Sequence, residues 1–196
     1  MRTAWGYDVE GVVNPIITVA QFNAMTNGTY STNPRVEAAI NAASQAIRNY
    51  CGWHICPAMT CTAYPAGGTI VARLPAAYVS AIDSIIEDGA TLDASAYQWR
   101  KDGMLKRAWP KKWSDNWDAI VVKYIAGYSV DAVPDLVEAV CSIASGVLSV
   151  SAGVISESAD GVSISYSASA SSIAASLTSQ QKSSLDSYKV VAAHAA

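Results

Sequence analysis

Charge is scarce in this chain. Asp, Glu, Lys and Arg make up 15% of its 196 residues, and the formal net charge is −3 at pH 7. That share is low for a free monomer of this size. With six Trp and ten Tyr beside a single Phe, it points to large surfaces that end up buried against partners; a monomer with a Trp-rich core is the alternative. Histidine is scarcer still. His54 sits just past an expected helix end and His194 lies near the end of the sequence, neither in a G-x-S-x-G setting. No paired carboxylates stand out, and no glycine-rich phosphate loop follows a strand; Gly67-Gly68 reads as a hairpin turn. These absences argue against an enzyme and against a cofactor.

Cysteine is limited to Cys51, Cys56, Cys61 and Cys141. Zinc sites pair ligands more closely, as C-x2-C, and need four in all. Cys51, His54 and Cys56 supply three, with no second cluster to complete them. Free, buried thiols without metal are therefore expected, and disulfides are not expected in a reducing cytosol. The opening MRTAWGYDVEGVV carries acids early and lacks the apolar run of a signal peptide. The nearest approach to a membrane span, Leu136 to Ile155, contains Glu138 and several Ser and Gly residues, so it reads as a core helix running into a loop. The expected setting is soluble and intracellular during synthesis, with no membrane partner.

Half of the chain is hydrophobic (51%), enough for a core of ordinary size. Residues 1–17 read as an irregular arm. Thr18 caps a short helix, Val19 to Met25, that Asn27-Gly28 ends. Asn33-Pro34 then starts a long helix, because Asn accepts from free helix N–H groups and Pro needs none. Val36, Ile40, Ala43, Ile47 and Tyr50 fall on one face of it, and Gly52 ends it. From about residue 59 to 128 the period shortens. Thr69 to Leu74 reads as a strand. Asp88-Gly89 and Asp102-Gly103 mark two hairpins, and Ala119 to Ala126 is the strongest strand. A small antiparallel sheet of four or five strands is expected there. Pro134 opens a second long helix, with Leu136, Val140, Ile143, Ala144 and Val147 on one face. The simplest architecture packs the two long helices together, with the sheet inserted between them in sequence.

Beyond Ser149 the composition shifts to Ser and Ala. Val162, Ile164 and Tyr166 alternate with serines after an Asp160-Gly161 turn, which is a strand pattern with one apolar face. Lying far from the sheet, such a strand pairs outside its own chain or stays unpaired. Thr178 to Gln181 has the form of a capping box, with Leu185 and Tyr188 as anchors of a short terminal helix.

One charged feature interrupts the neutral background. Between Trp99 and Trp113 stand Arg100, Lys101, Lys106, Arg107, Lys111 and Lys112 against one acid, Asp102. Trp109 and Trp117 extend the aromatic interleaving. Basic residues among aromatics grip single strands by stacking or touch duplex phosphates. The alternative is a solvated hairpin with its Trp residues packed inward and its Lys residues in water.

In their order and spacing these pieces resemble the head–tail connector (adaptor) proteins of long-tailed double-stranded DNA bacteriophages. The pieces are TVAQFNAM, NPRVEAAINAASQAIRNYCGW, LP-x-x-x-V-S-A-I with its EDG turn, SAYQW, a W-P pair, VVKYIAGY, VPDLVEAV and SESADGVSISYS. The likeness spans roughly residues 17 to 190. It implies a structural virion protein, synthesised in the host cytoplasm, that forms a ring, typically of twelve copies, under the portal protein at the capsid vertex. The ring would extend the channel for packaged double-stranded DNA, without sequence specificity, and dock a tail-side neck, stopper or tail protein. Extended termini commonly bind the portal or a neighbour in this family. That assigns Val154, Ile155, Glu157, Val162, Ile164 and Tyr166 to a partner-binding arm, and Arg100, Lys101, Lys106, Arg107, Lys111 and Lys112 to the channel or a subunit contact. The expected fold class is α+β: a helical-bundle core at residues 18–150, an inserted small antiparallel β-sheet at about 59–128, and an extended C-terminal arm at 151–196. The insert is larger than in the smallest relatives. Rival readings are another neck protein (stopper or tail terminator), a carbohydrate-binding or adhesion module, and a small hydrolase.

Overall fold

The computed structural model describes residues 3–149, 156–159, 162–165 and 177–190. Among them the strands are β1 (Asp8–Val9), β2 (Met59–Ala63), β3 (Val71–Arg73), β4 (Val79–Glu87), β5 (Ala90–Thr91), β6 (Tyr97–Trp99), β7 (Met104–Arg107), β8 (Ile120–Ala126), β9 (Ser156–Ala159) and β10 (Val162–Ser165). The α-helices are α1 (Val19–Met25), α2 (Val36–Cys51), α3 (Pro134–Ser149) and α4 (Ser179–Leu185). The chain divides into two compact units. One comprises Met1–Val13, Gly52–Ser129 and Tyr188–Ala196, the other Asn14–Cys51 and Val130–Ser187.

The first unit is built of antiparallel sheets. Its five-stranded sheet has the order β1-β2-β8-β4-β5, and a second sheet has the order β3-β7-β6. The centre is β8, whose Ile120, Val122, Tyr124 and Ala126 are fully buried while the residues between them are not. That alternation is the period of a strand with one face in the core. Both neighbours of β8 are distant in sequence: Cys61 pairs with Tyr124 on one side, and Ile82 on the other. The Asp88-Gly89 turn joins β4 to β5 with both residues at positive φ, 49° and 80°, as a two-residue hairpin requires.

A buried polar hub ties the start of the chain to this sheet. His54 Nε2 lies 3.0 Å from Ala126 O, and Nδ1 lies 2.7 Å from the Tyr7 hydroxyl. A carbonyl only accepts, so Nε2 carries the proton and Nδ1 accepts from Tyr7. The His54 N–H in turn donates to that hydroxyl at 3.0 Å. Gly127 makes room for the hub. Its φ is +105°, and a Cβ there would stand 2.7 Å from Pro57 O and 2.8 Å from His54 Nε2. The last described turn closes the unit: Trp53 Nε1 donates to Tyr188 O at 2.7 Å, and the Tyr188 ring meets Tyr128 edge-on.

In the second unit α2 and α3 pack together. Val36, Ala39, Ile40, Ala43 and Ile47 are buried on α2, and Leu136, Val140, Ile143, Ala144 and Val147 on α3. Neither stripe could be covered by its own helix. Residues 14–17 strap along α2, with Arg48 donating to Asn14 O at 2.6 Å and Ile16 N donating to Ser44 Oγ at 3.1 Å. Capping boxes start α1 at Thr18 and α4 at Thr178, and Leu185 is buried.

The expected helical-bundle core is not what the chain builds. Its elements are mostly strands, arranged in antiparallel sheets, and its α-helices number four among the described residues. Strands β1 to β8 belong to the first unit, in which Trp53, Tyr124 and Trp113 are buried. The helices announce themselves by local periodicity. The pairing of β1, β2 and β8 joins residues that lie far apart in the sequence and leaves no local mark.

Candidate functional site

The basic aromatic segment lies in the β3-β7-β6 sheet and in the loop after β7. Its base is fixed by a buried ion pair. Arg107 Nε and Nη2 contact Glu87 Oε2 at 3.0 and 2.8 Å, and Nη1 donates to Ala96 O at 2.6 Å. The other oxygen of Glu87 accepts from Ser114 N at 2.9 Å. Arg107 also lies 5.5 Å from the Trp113 ring centre, a cation–π distance. Arg107, expected as a channel or subunit contact, is thus engaged inside the fold. It is 5% exposed and satisfied inside the fold. Beside it, Gly67 lies so close to the loop that a Cβ would fall on Ser114 O.

The remaining basic residues face solvent. Lys106 pairs with Val71 on one flank and with Gln98 on the other, so the three share one face of the sheet. Two residues along, Met104 pairs with Arg73, and Arg100 N donates to Met104 O at 2.9 Å. This face carries a shallow groove lined by Val71, Gln98, Trp99, Arg100, Met104 and Lys106. Arg100 makes only an exposed contact with Asp102 at 3.4 Å. Lys101, Lys111 and Lys112 are exposed.

The tryptophans divide in a way their spacing does not reveal. Trp113 is buried, Trp109 is 81% exposed and Trp117 is 97% exposed. The inward-packing alternative thus holds for Trp113 and fails for Trp109 and Trp117. Sequence reasoning missed Glu87, which anchors the loop from another strand. It also missed Asp115 and Asp118, which flank Trp117.

Of the arm residues, Val154, Ile155 and Tyr166 lie outside the described residues. Val162 and Ile164 belong to β10 and Glu157 to β9, and these strands pair with each other, Ile164 opposite Glu157. The expectation that this strand lacks a partner in its own chain is therefore corrected: a second Ser-rich strand just before it, which the sequence reading overlooked, supplies the hydrogen bonds.

The cysteine–histidine group does not converge. Cys51 Sγ points to Leu185 O at 3.7 Å, and both His54 nitrogens are engaged. All four cysteines are free and buried. Burial pushes the Cys61 thiol up to about 12, so it is a poor nucleophile at neutral pH. Among the described residues no helix is long and apolar enough to cross a membrane.

A family model described as head completion protein matches residues 15–189, a span that takes in segments of both units. One similar solved structure is titled "Neck of empty GTA particle computed with C6 symmetry". It is 16% identical, covers 80% of this chain and 88% of its own, and superposes with a TM-score of 0.57. At that identity the likeness concerns the fold. No curated protein matches the chain.

Proposed function

The chain belongs to the head completion protein family, and from that premise we propose that it is a structural protein of the phage neck, a head-to-tail adaptor. In this reading copies of the chain form a ring, of about twelve by analogy with connector rings of this kind. The ring docks under the portal at the capsid vertex, continues the DNA channel and presents a surface to a tail-side protein. The match over residues 15–189 carries the proposal. The solved neck structure supports the same architecture. Two features agree with a subunit that works by assembly: only 15% of residues are charged, and two tryptophans stand almost fully in water.

The test is reconstitution. Purified protein is added to DNA-filled heads that carry a portal but no neck, and bound protein is followed by co-sedimentation and electron microscopy of the vertex. A ring directly on the portal supports the adaptor role. Binding only after another neck protein has bound would favour a stopper or tail terminator, a reading that the predominance of strands also fits. Failure to bind in either order would remove the neck assignment.

Lys101, Lys111 and Lys112 are the proposed contacts to passing DNA or to a neighbour. They sit on exposed loops, and their charges need no partner within the fold. The arm residues Val154, Ile155, Glu157, Val162, Ile164 and Tyr166 keep their proposed role toward the portal or an adjacent subunit. A self-paired hairpin still has outer edges that can add to a partner's sheet.

A further inference from the structure

Trp117 is 97% exposed, yet its loop is held firmly. Trp113 N donates to Thr69 O at 2.9 Å, and Asp88 N donates to Ala119 O at 2.9 Å. Ser114 Oγ and Asn116 Nδ2 both donate to Asp88 Oδ1, at 2.9 and 3.3 Å. The indole is thus presented in water on a loop already ordered, so docking it costs little further conformational entropy. Tryptophan in that position is the side chain that most often dominates an interface.

The flanking charges say what it docks into. From Ser114 to Asp118 the loop carries Asp115 and Asp118 and no base. Two carboxylates beside the indole would repel a phosphate backbone. They suit an apolar site with a cationic rim, and one such site exists on the same unit. The groove on the β3-β7-β6 sheet has Val71 and Met104 as apolar lining, with Arg100 and Lys106 beside them. Val71 is 40% exposed and lies directly across from Lys106. The pairing of Arg100 with Asp102 is exposed and worth little, so the guanidinium is free to turn onto an indole face or a carboxylate.

We propose that Trp117, with Asp115 and Asp118, plugs the Val71–Met104 groove of a second copy of this chain, against Arg100 and Lys106. Plug and groove are different surfaces of one unit, so the contact is heterologous. Repeated head to tail, it closes into a ring when the rotation allows. The inference rests on the ring reading and gives it a residue-level interface.

Charge reversal tests it. Two double variants are prepared, Asp115→Lys with Asp118→Lys, and Arg100→Glu with Lys106→Glu, together with Trp117→Ser. All the substituted side chains are exposed, and thermal melts confirm folding. Self-association is measured by sedimentation velocity, on the free protein and on protein released from reconstituted heads. Each double variant alone, and Trp117→Ser, is expected to weaken self-association by roughly thirtyfold, the loss that a hot-spot residue entails. An equimolar mixture of the two double variants should restore it, because every plug then meets a groove of opposite charge. Wild-type-like association of the single preparations, or a mixture that fails to recover, overturns the inference, as does a wild-type protein that stays monomeric in both settings. Vertex rings that form normally with all the variants overturn the inference and leave the neck reading standing. Self-association that follows the charge pattern in a protein that never binds heads does the reverse.

Discussion

Glu87 and Arg107 show how much one buried pair can organise. Glu87 holds Arg107 with one oxygen and the Trp113 loop with the other. Removing one partner leaves an uncompensated buried charge, which costs about 3–5 kcal/mol. Glu87→Ala is expected to destabilise the fold by that amount in urea titration and to expose Trp113 to quencher. Replacing Lys111 and Lys112 by Ser should change stability by less than about 0.5 kcal/mol, since both stand in water. The Cys61 thiol gives a pH signature. Burial raises it from 9.0 to about 12 and raises Tyr124 in the same direction. The unfolded chain ionises first, so their stabilisation is fully present below about pH 9 and is lost as pH rises toward 12. The urea midpoint should therefore hold from pH 7 to 9 and fall above it, less steeply in Cys61→Ala once its lower starting stability is subtracted.

At the scale of elements, α2 and α3 stand or fall as a pair. Ile40 and Val140 are almost wholly buried, and neither helix can cover its own stripe. Ile40→Ala should cost roughly 2–5 kcal/mol, measured by denaturant unfolding, and Val140→Ala should destabilise in the same direction. The strand end of β8 is held differently. Gly127 has positive φ and backbone within contact range on two sides, so Gly127→Ala meets both backbone strain and a clash with Pro57 O. A loss larger than that of an ordinary Gly→Ala change is expected, together with faster amide exchange at Tyr128, whose N–H bonds Ile55 O.

For the whole molecule, the tail is proposed to divide into a part that stabilises the fold and a part that binds a partner. Leu185 is buried in the second unit, and in the first Trp53 donates to Tyr188 O. Truncation after Ser149 should lower the melting temperature, because burial of Leu185 alone stabilises by about 1.5–3 kcal/mol. Replacing residues 154–166 by a Gly-Ser linker of equal length should leave the melting temperature nearly unchanged and abolish attachment to portal-bearing heads. Normal attachment by the linker variant, followed by co-sedimentation, would remove the arm from the proposed portal contact.

Several features were legible in the sequence because their causes are local. Thr18 and Thr178 cap their helices through hydrogen bonds to residues three positions on. Asp88-Gly89 turns a hairpin through its own φ preferences, and the stripes of α2 and α3 follow from the helical period. The order of such signals was enough to suggest the connector family. What tertiary structure alone decided is non-local. Only the fold pairs residues 8–9 with β2 and places β2 beside β8, drawing the start of the chain into the sheet-based unit. Only the fold brings Glu87 to Arg107, which removes one charge from a run of six that read as a single basic surface. And only the fold separates buried Trp113 from exposed Trp117 four residues away. Spacing places a side chain along the chain, whereas its exposure depends on which distant strand or loop comes to lie over it.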